Sequence, residues 1–148
     1  MSHATALDSL IDYARVQRDE ALSRFAATLA CARESSSRLA LLLEYRGEYI
    51  ARFSADSRKG MAALQLRNYF GFLNKLDAAI RQQQHDLSAE NSRVDDSRTA
   101  WHSRESRLQG YAALQARRGA EHALRARRDE QKQTDEHAAQ SVLRREHR

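Results

Sequence analysis

Six histidines and one cysteine are the residues of this 148-residue chain best suited to metal or nucleophilic chemistry. His3, His85, His102, His122, His137 and His147 are scattered, with no pair at the helical spacing that puts two metal ligands on one face. The Glu-His pairs at 121–122, 136–137 and 146–147 are sequence neighbours, and neighbours on a helix point in different directions. The chain has no HExxH, no GxxxxGK(S/T) and no GxGxxG, so neither a zinc pair nor a phosphate loop is expected. Cys31, near an apolar row, reads as a small core residue rather than as a nucleophile. No catalytic group, cofactor or metal is predicted, and the chain is expected not to be an enzyme.

Binding chemistry is better represented. Leu42, Tyr45 and Tyr49 stand at i, i+3 and i+7, which lines them up on one side of a helix. Tyr69, Phe72, Leu76, Ala79 and Gln83 form a similar stripe further along. Two uses fit such stripes: they broaden a core, or they form a docking face. Leu76 suits either. A second candidate is cationic. Of the net charge of +5, four units fall in residues 101–148, around Arg117, Arg118, Arg125, Arg127, Arg128 and Lys132. Without interleaved aromatics or a reading-head motif, that segment gives no reason to expect nucleic acid. It suits a cationic surface set among acidic loops, or simply a solvated helix face.

The elements that must carry these residues are helices. The chain has no proline, where roughly seven would be expected at the usual share of about 5%, and only five glycines. That composition disfavours sandwiches, Rossmann folds and disulfide scaffolds, all of which need turn residues or cysteines. The spacing predicts an all-α, elongated, antiparallel two-helix coiled-coil hairpin forming a single domain, 1–148. Leu22, Phe25, Leu29, Ala32, Ser36, Leu39, Leu43, Arg46, Ile50 and Phe53 alternate by three and four, as a coiled-coil seam does. In the second half, Leu73, Ile80, Leu87, Val94, Trp101 and Leu108 recur every seven residues. Their companion row is mostly polar: Leu76, Gln83, Glu90, Ser97, Arg104 and Tyr111.

Between the two patterns lies Ser54-Ala-Asp-Ser-Arg-Lys-Gly60, the one breaker cluster. Helix one is therefore expected over about 4–54, a turn over about 55–61 and helix two over about 62–140, with a frayed tail. The longer second helix would overhang its partner and expose its basic part. The N-terminus carries no leader-like pattern, and the longest apolar run, Leu39–Leu43, falls far short of the roughly 20 residues of a membrane span. A soluble, cytoplasmic protein is expected.

Several segments resemble one known family. Leu42-Leu43-Glu44-Tyr45-Arg46-x-Glu48-Tyr49 and Asn68-Tyr69-Phe70-x-Phe72-Leu73-x-x-Leu76-Asp77-x-Ala79-Ile80-x-Gln82-Gln83 look like the flagellar export protein family FliJ. Trp101, Arg107-Leu108-Gln109, Leu114-Gln115-x-Arg117 and Asp129-x-Gln131-Lys132-x-x-Asp135-Glu136-x-Ala138 continue the likeness over nearly the whole chain. Virulence-type secretion stalks are more distantly similar.

The resemblance implies a non-enzymatic central stalk of the flagellar type III export apparatus. Such a stalk inserts into the export ATPase hexamer, promotes its assembly and activity, and links it to the membrane export gate and export chaperones. By the same resemblance, the gate-docking face maps to Leu42, Tyr45, Tyr49, Phe72, Leu76, Ala79 and Gln83, and departs from the family at Arg38, where an amide is usual. The ATPase-ring contact maps to Tyr13, Arg24, Arg117, Arg118, Arg125, Arg128 and Lys132. The location implied is cytoplasmic, peripheral to the inner-membrane export apparatus. A basic nucleic-acid-binding coiled coil and a homo-oligomeric scaffold are the alternatives.

Overall fold

A computed structural model of the chain describes residues 5–148. Residue 4, where helix one was expected to begin, and His3 lie outside the described residues. Two helices account for the fold: α1 (Ala6–Arg58) and α2 (Ala63–Glu146). Among the described residues there is no strand.

Local chemistry explains the helix ends. At the start of α1 the Thr5 amide donates to Asp8 Oδ2 at 3.0 Å, a carboxylate three residues on capping a free amide. Asp8 also sits at the positive end of the helix dipole. At the start of α2 the Ala62 amide donates to Gln65 Oε1 at 3.2 Å in the same relation. The turn between them is shorter than expected. α1 continues through Ser54–Ser57, where the Ser57 hydroxyl donates to the Ser54 carbonyl. Among the described residues Gly60 alone has a positive φ, 88°, a left-handed conformation that a Cβ would strain. α2 runs on to Glu146, past the expected end near 140, with Arg144 and Arg145 suited to its negative end.

The contacts fall into two units. One comprises Gln17–Arg104, and the other the chain up to Val16 with Glu105–Arg148. In the first, α1 and α2 pair antiparallel across the turn. The α2 side of the seam is the one its seven-residue repeat predicts: Leu76, Ile80 and Val94 are buried and Leu73, Gln83, Leu87, Glu90, Ser97 and Trp101 half-buried. The α1 side differs from expectation in its second row. Phe25, Ala32, Leu39, Arg46 and Phe53 face the partner, and Leu29 and Ile50 of the expected second row are half-buried, but Leu22, Ser36 and Leu43 are exposed. Ala21, Thr28, Ser35, Leu42 and Tyr49 take that row instead.

The reason is the polar row on α2. The Thr28 and Ser97 hydroxyls lie 2.6 Å apart, and Gln83 Nε2 donates to Ser35 Oγ at 2.9 Å and to the Ser35 carbonyl at 3.1 Å. A half-buried amide needs partners, and a leucine row would have left Gln83 without them, whereas the two hydroxyls are also bonded to the Phe25 and Val94 carbonyls of their own helices. Phe25 and Trp101 stack nearly parallel at 5.8 Å, with the Arg98 guanidinium 5.5 Å from the Phe25 ring centre.

In the other unit, Leu7, Ile11 and Ala14 of α1 bury with Leu108 of α2, and Tyr111 packs against them. Gln115 Nε2 donates to Asp8 Oδ1 at 2.6 Å. Beyond Tyr111, every residue of α2 is exposed.

Candidate interaction surfaces

Six aromatic side chains cluster on either side of the turn. Phe53 stacks on Tyr69 at 3.7 Å and Tyr49 on Tyr69 at 5.0 Å. Tyr49 also meets Phe72 at 4.7 Å, Tyr45 meets Phe72 edge-on at 6.2 Å, and Phe70 closes on Phe53 at 6.0 Å. Helical spacing sets this order. Tyr45, Tyr49 and Phe53 recur every four residues on α1, and Tyr69 and Phe72 are three apart on α2, so successive rings interleave across the pair. A surface groove runs beside the stack, lined by Tyr45, Tyr49, Arg52, Asp56, Asn68 and Phe72 among others. Its floor is aromatic and its rim carries both charges and an amide, the composition of a protein-binding surface.

The structure divides the expected docking residues in two. Tyr45 and Phe72 keep 44% and 39% of their surface, and Ala79 is exposed. Leu76 keeps only 7%, and Leu42, Tyr49 and Gln83 are half-buried in the seam, with Gln83 engaged by Ser35. The stripes are thus partly core and partly surface: the seam residues hold up the rings that face outward. Phe53 and Phe70 complete the cluster and were not among the expected docking residues. Phe70 shares the aromatic run with Tyr69 and Phe72, and that run was the available signal.

One ion pair also escaped the sequence reading. Arg46 Nε donates to Asp77 Oδ1 at 2.6 Å between the two helices. That hydrogen bond, then the Asp77 charge, raises the Arg46 guanidinium above its usual value. An arginine at a seam position asks for a carboxylate at a matching distance beyond the turn, and Asp77 stands there.

The cationic candidates are placed separately. Tyr13 is 62% exposed, and Arg117, Arg118, Arg125, Arg128 and Lys132 lie on the exposed part of α2 in the same unit. Arg117 makes only a loose pair with Glu121, at 3.8 Å. Arg24 is exposed but belongs to the other unit. Cys31 is exposed, not tucked beside the core as expected. It lies between the seam rows occupied by Thr28, Ala32 and Ser35 rather than in one. Among the described residues no cluster of histidine, cysteine and carboxylates has metal-binding geometry, and no helix is long and apolar enough to cross a membrane.

These features define a class: an all-α hairpin whose helices pair through a coiled-coil seam and whose assets are side-chain surfaces. Comparison with known proteins supplies the family. A profile described as "Flagellar FliJ protein" matches residues 2–147. The Flagellar FliJ protein of Salmonella typhi is 29% identical over 144 residues, covering 97% of this chain and 98% of the relative. That of Escherichia coli (strain K12) is 27% identical with the same coverage. The chain belongs to the flagellar FliJ family, a family of flagellar export and assembly.

Proposed function

We propose that the protein is a non-enzymatic stalk of the flagellar export apparatus, acting as one domain that engages the export ATPase hexamer and the membrane export gate. The family match over residues 2–147 carries this reading, because it spans both the aromatic cluster and the cationic length of α2. The exposed rings of Tyr45 and Phe72, with Ala79 beside them, form the gate-docking face. Leu42, Tyr49, Leu76 and Gln83 contribute by fixing the backbone and the ring positions beneath them. Docking then costs little side-chain ordering, since the rings are already packed against one another.

The ATPase ring is engaged by Tyr13, Arg24, Arg117, Arg118, Arg125, Arg128 and Lys132. A cationic helix surface set against acidic loops gains from long-range attraction, which speeds association and weakens with salt. Inserted in a ring, a helix pair whose sides differ in charge favours one arrangement of the surrounding subunits over others, which is how a stalk biases turnover without doing chemistry. Contact with export chaperones and a peripheral position at the inner membrane belong to the same reading.

The test is a purified-component ATPase assay. Adding this protein should raise hexamer formation and turnover by the export ATPase, less so at high salt. If neither changes, the stalk assignment fails.

A further inference from the structure

The stretch from Arg58 to Arg67, which contains the turn and the first residues of α2, holds three cations and no acidic residue. Like Arg118, Arg125 and Arg128 on α2, Arg58, Lys59 and Arg67 make no ion pair, whereas Arg38, Arg46, Arg93 and Arg98 are each held by a carboxylate. Between these cations the side chains are apolar except for Gln65, whose Oε1 is taken up by the Ala62 amide. Leu64 is 66% exposed, Ala62 and Ala63 are exposed and Met61 is half-buried. Phe70, one helical turn further on, is 53% exposed.

Unpaired cations and exposed apolar groups in one short stretch both lose free energy in water alone: the leucine is unburied and the charges repel one another. An anionic bilayer surface relieves both at once. Its phosphates neutralise the cations, and the boundary beneath the headgroups accepts the apolar side chains. We propose that the turn end of the hairpin, Arg58–Arg67, docks on an anionic lipid surface, with Leu64 and Met61 entering the headgroup boundary.

The contact is interfacial, since no helix among the described residues can span the bilayer. It is also weak and reversible, because three cations and a few apolar side chains give far less attraction than a lipid anchor. This docking does not depend on the export assignment, and it uses residues apart from the gate-docking face.

Flotation of the full chain with vesicles tests it. The native protein should float with phosphatidylcholine vesicles containing about a quarter phosphatidylglycerol, and not with phosphatidylcholine alone, the binding falling as salt rises. Lys59→Glu with Arg67→Glu should weaken binding at least tenfold, each cation near such a surface being worth roughly fivefold. Leu64→Ser keeps every charge and should still weaken it by roughly fivefold. Arg127→Ala with Arg128→Ala, in the cationic part of α2, should leave it within about twofold. Circular dichroism checks that each variant stays helical. The proposal is overturned if the tip variants bind as the native chain does, or if the Arg127/Arg128 variant alone releases the protein. It is equally overturned if the native chain ignores anionic vesicles, as it would were this end built for an acidic protein.

Discussion

Within the paired region of residues 17–104, the length nearest the turn and the length further away are built from opposite materials. Near the turn, Tyr49 and Phe53 stack on Tyr69, and Phe72 packs at a tilt against Tyr49. Further away, Thr28 meets Ser97 and Ser35 meets Gln83 through hydrogen bonds. Packed rings contribute large apolar area and several kcal/mol of cohesion, but ring contacts tolerate small shifts along the helix. A hydrogen bond exchanged for one with water contributes only about 1 kcal/mol net, yet it fails if its partner moves by one turn. The aromatic length therefore holds the helices together, and the polar length decides which residue faces which. Arg46–Asp77 stands between the two and serves alignment, being too exposed to add much cohesion.

The contrast can be broken from either side. The largest effect is expected for Tyr69→Ala, which removes a buried ring from two stacks and should lower stability by about 3 kcal/mol in urea unfolding. A loss below about 1 kcal/mol would mean the aromatic length is not the main source of cohesion. Phe72→Ala comes next: roughly 1.5 kcal/mol of stability, with loss of export-gate binding in a pull-down and helicity retained. Retained gate binding would remove Phe72 from the docking face. Gln83→Ala should cost about 1 kcal/mol by leaving Ser35 without its partner. Replacing Ser35 and Gln83 together by leucine should restore or exceed native stability while allowing self-association, visible in sedimentation. A doubly substituted chain that stays monomeric would show that alignment resides elsewhere. The smallest effect is Gly47→Ala, which meets nothing within 4 Å and should add about 0.5–1 kcal/mol to a continuous helix. A net loss would point to a need for local give near the aromatic face.

The same contrast explains what could be read from the residues alone. The α2 seam was legible because Leu73, Ile80, Leu87, Val94, Trp101 and Leu108 repeat every seven residues without competition. On α1 two adjacent rows compete. Apolarity favours the row of Leu22, Leu29 and Leu43, and the need of the Gln83 amide for a partner, with Ser97 set against Thr28, selects Ala21, Thr28 and Ser35. A row chosen by its partner cannot be found from its own segment. The docking stripes were legible as stripes, but their division into support and surface follows from that choice: once Leu42 and Tyr49 turn inward, Tyr45 is left outside. The cationic length of α2 was plain from composition, whereas the continuation of helix through Ser54–Ser57 was not, because serine and aspartate suit turns and helix ends equally well.

The inter-helix ties also set an order in time. Arg46 and Asp77 are 31 residues apart in the chain, Ser35 and Gln83 48, Thr28 and Ser97 69, and Asp8 and Gln115 107. The aromatic rings flanking the turn are nearer still. Closing a longer loop costs more entropy, and each tie shortens the loop left for the next. Folding is therefore expected to begin at the rings and advance away from the turn like a zipper, each polar tie checking the alignment before the next pair closes. The contact between Asp8 and Gln115 forms last and, by the same arithmetic, is the first to open.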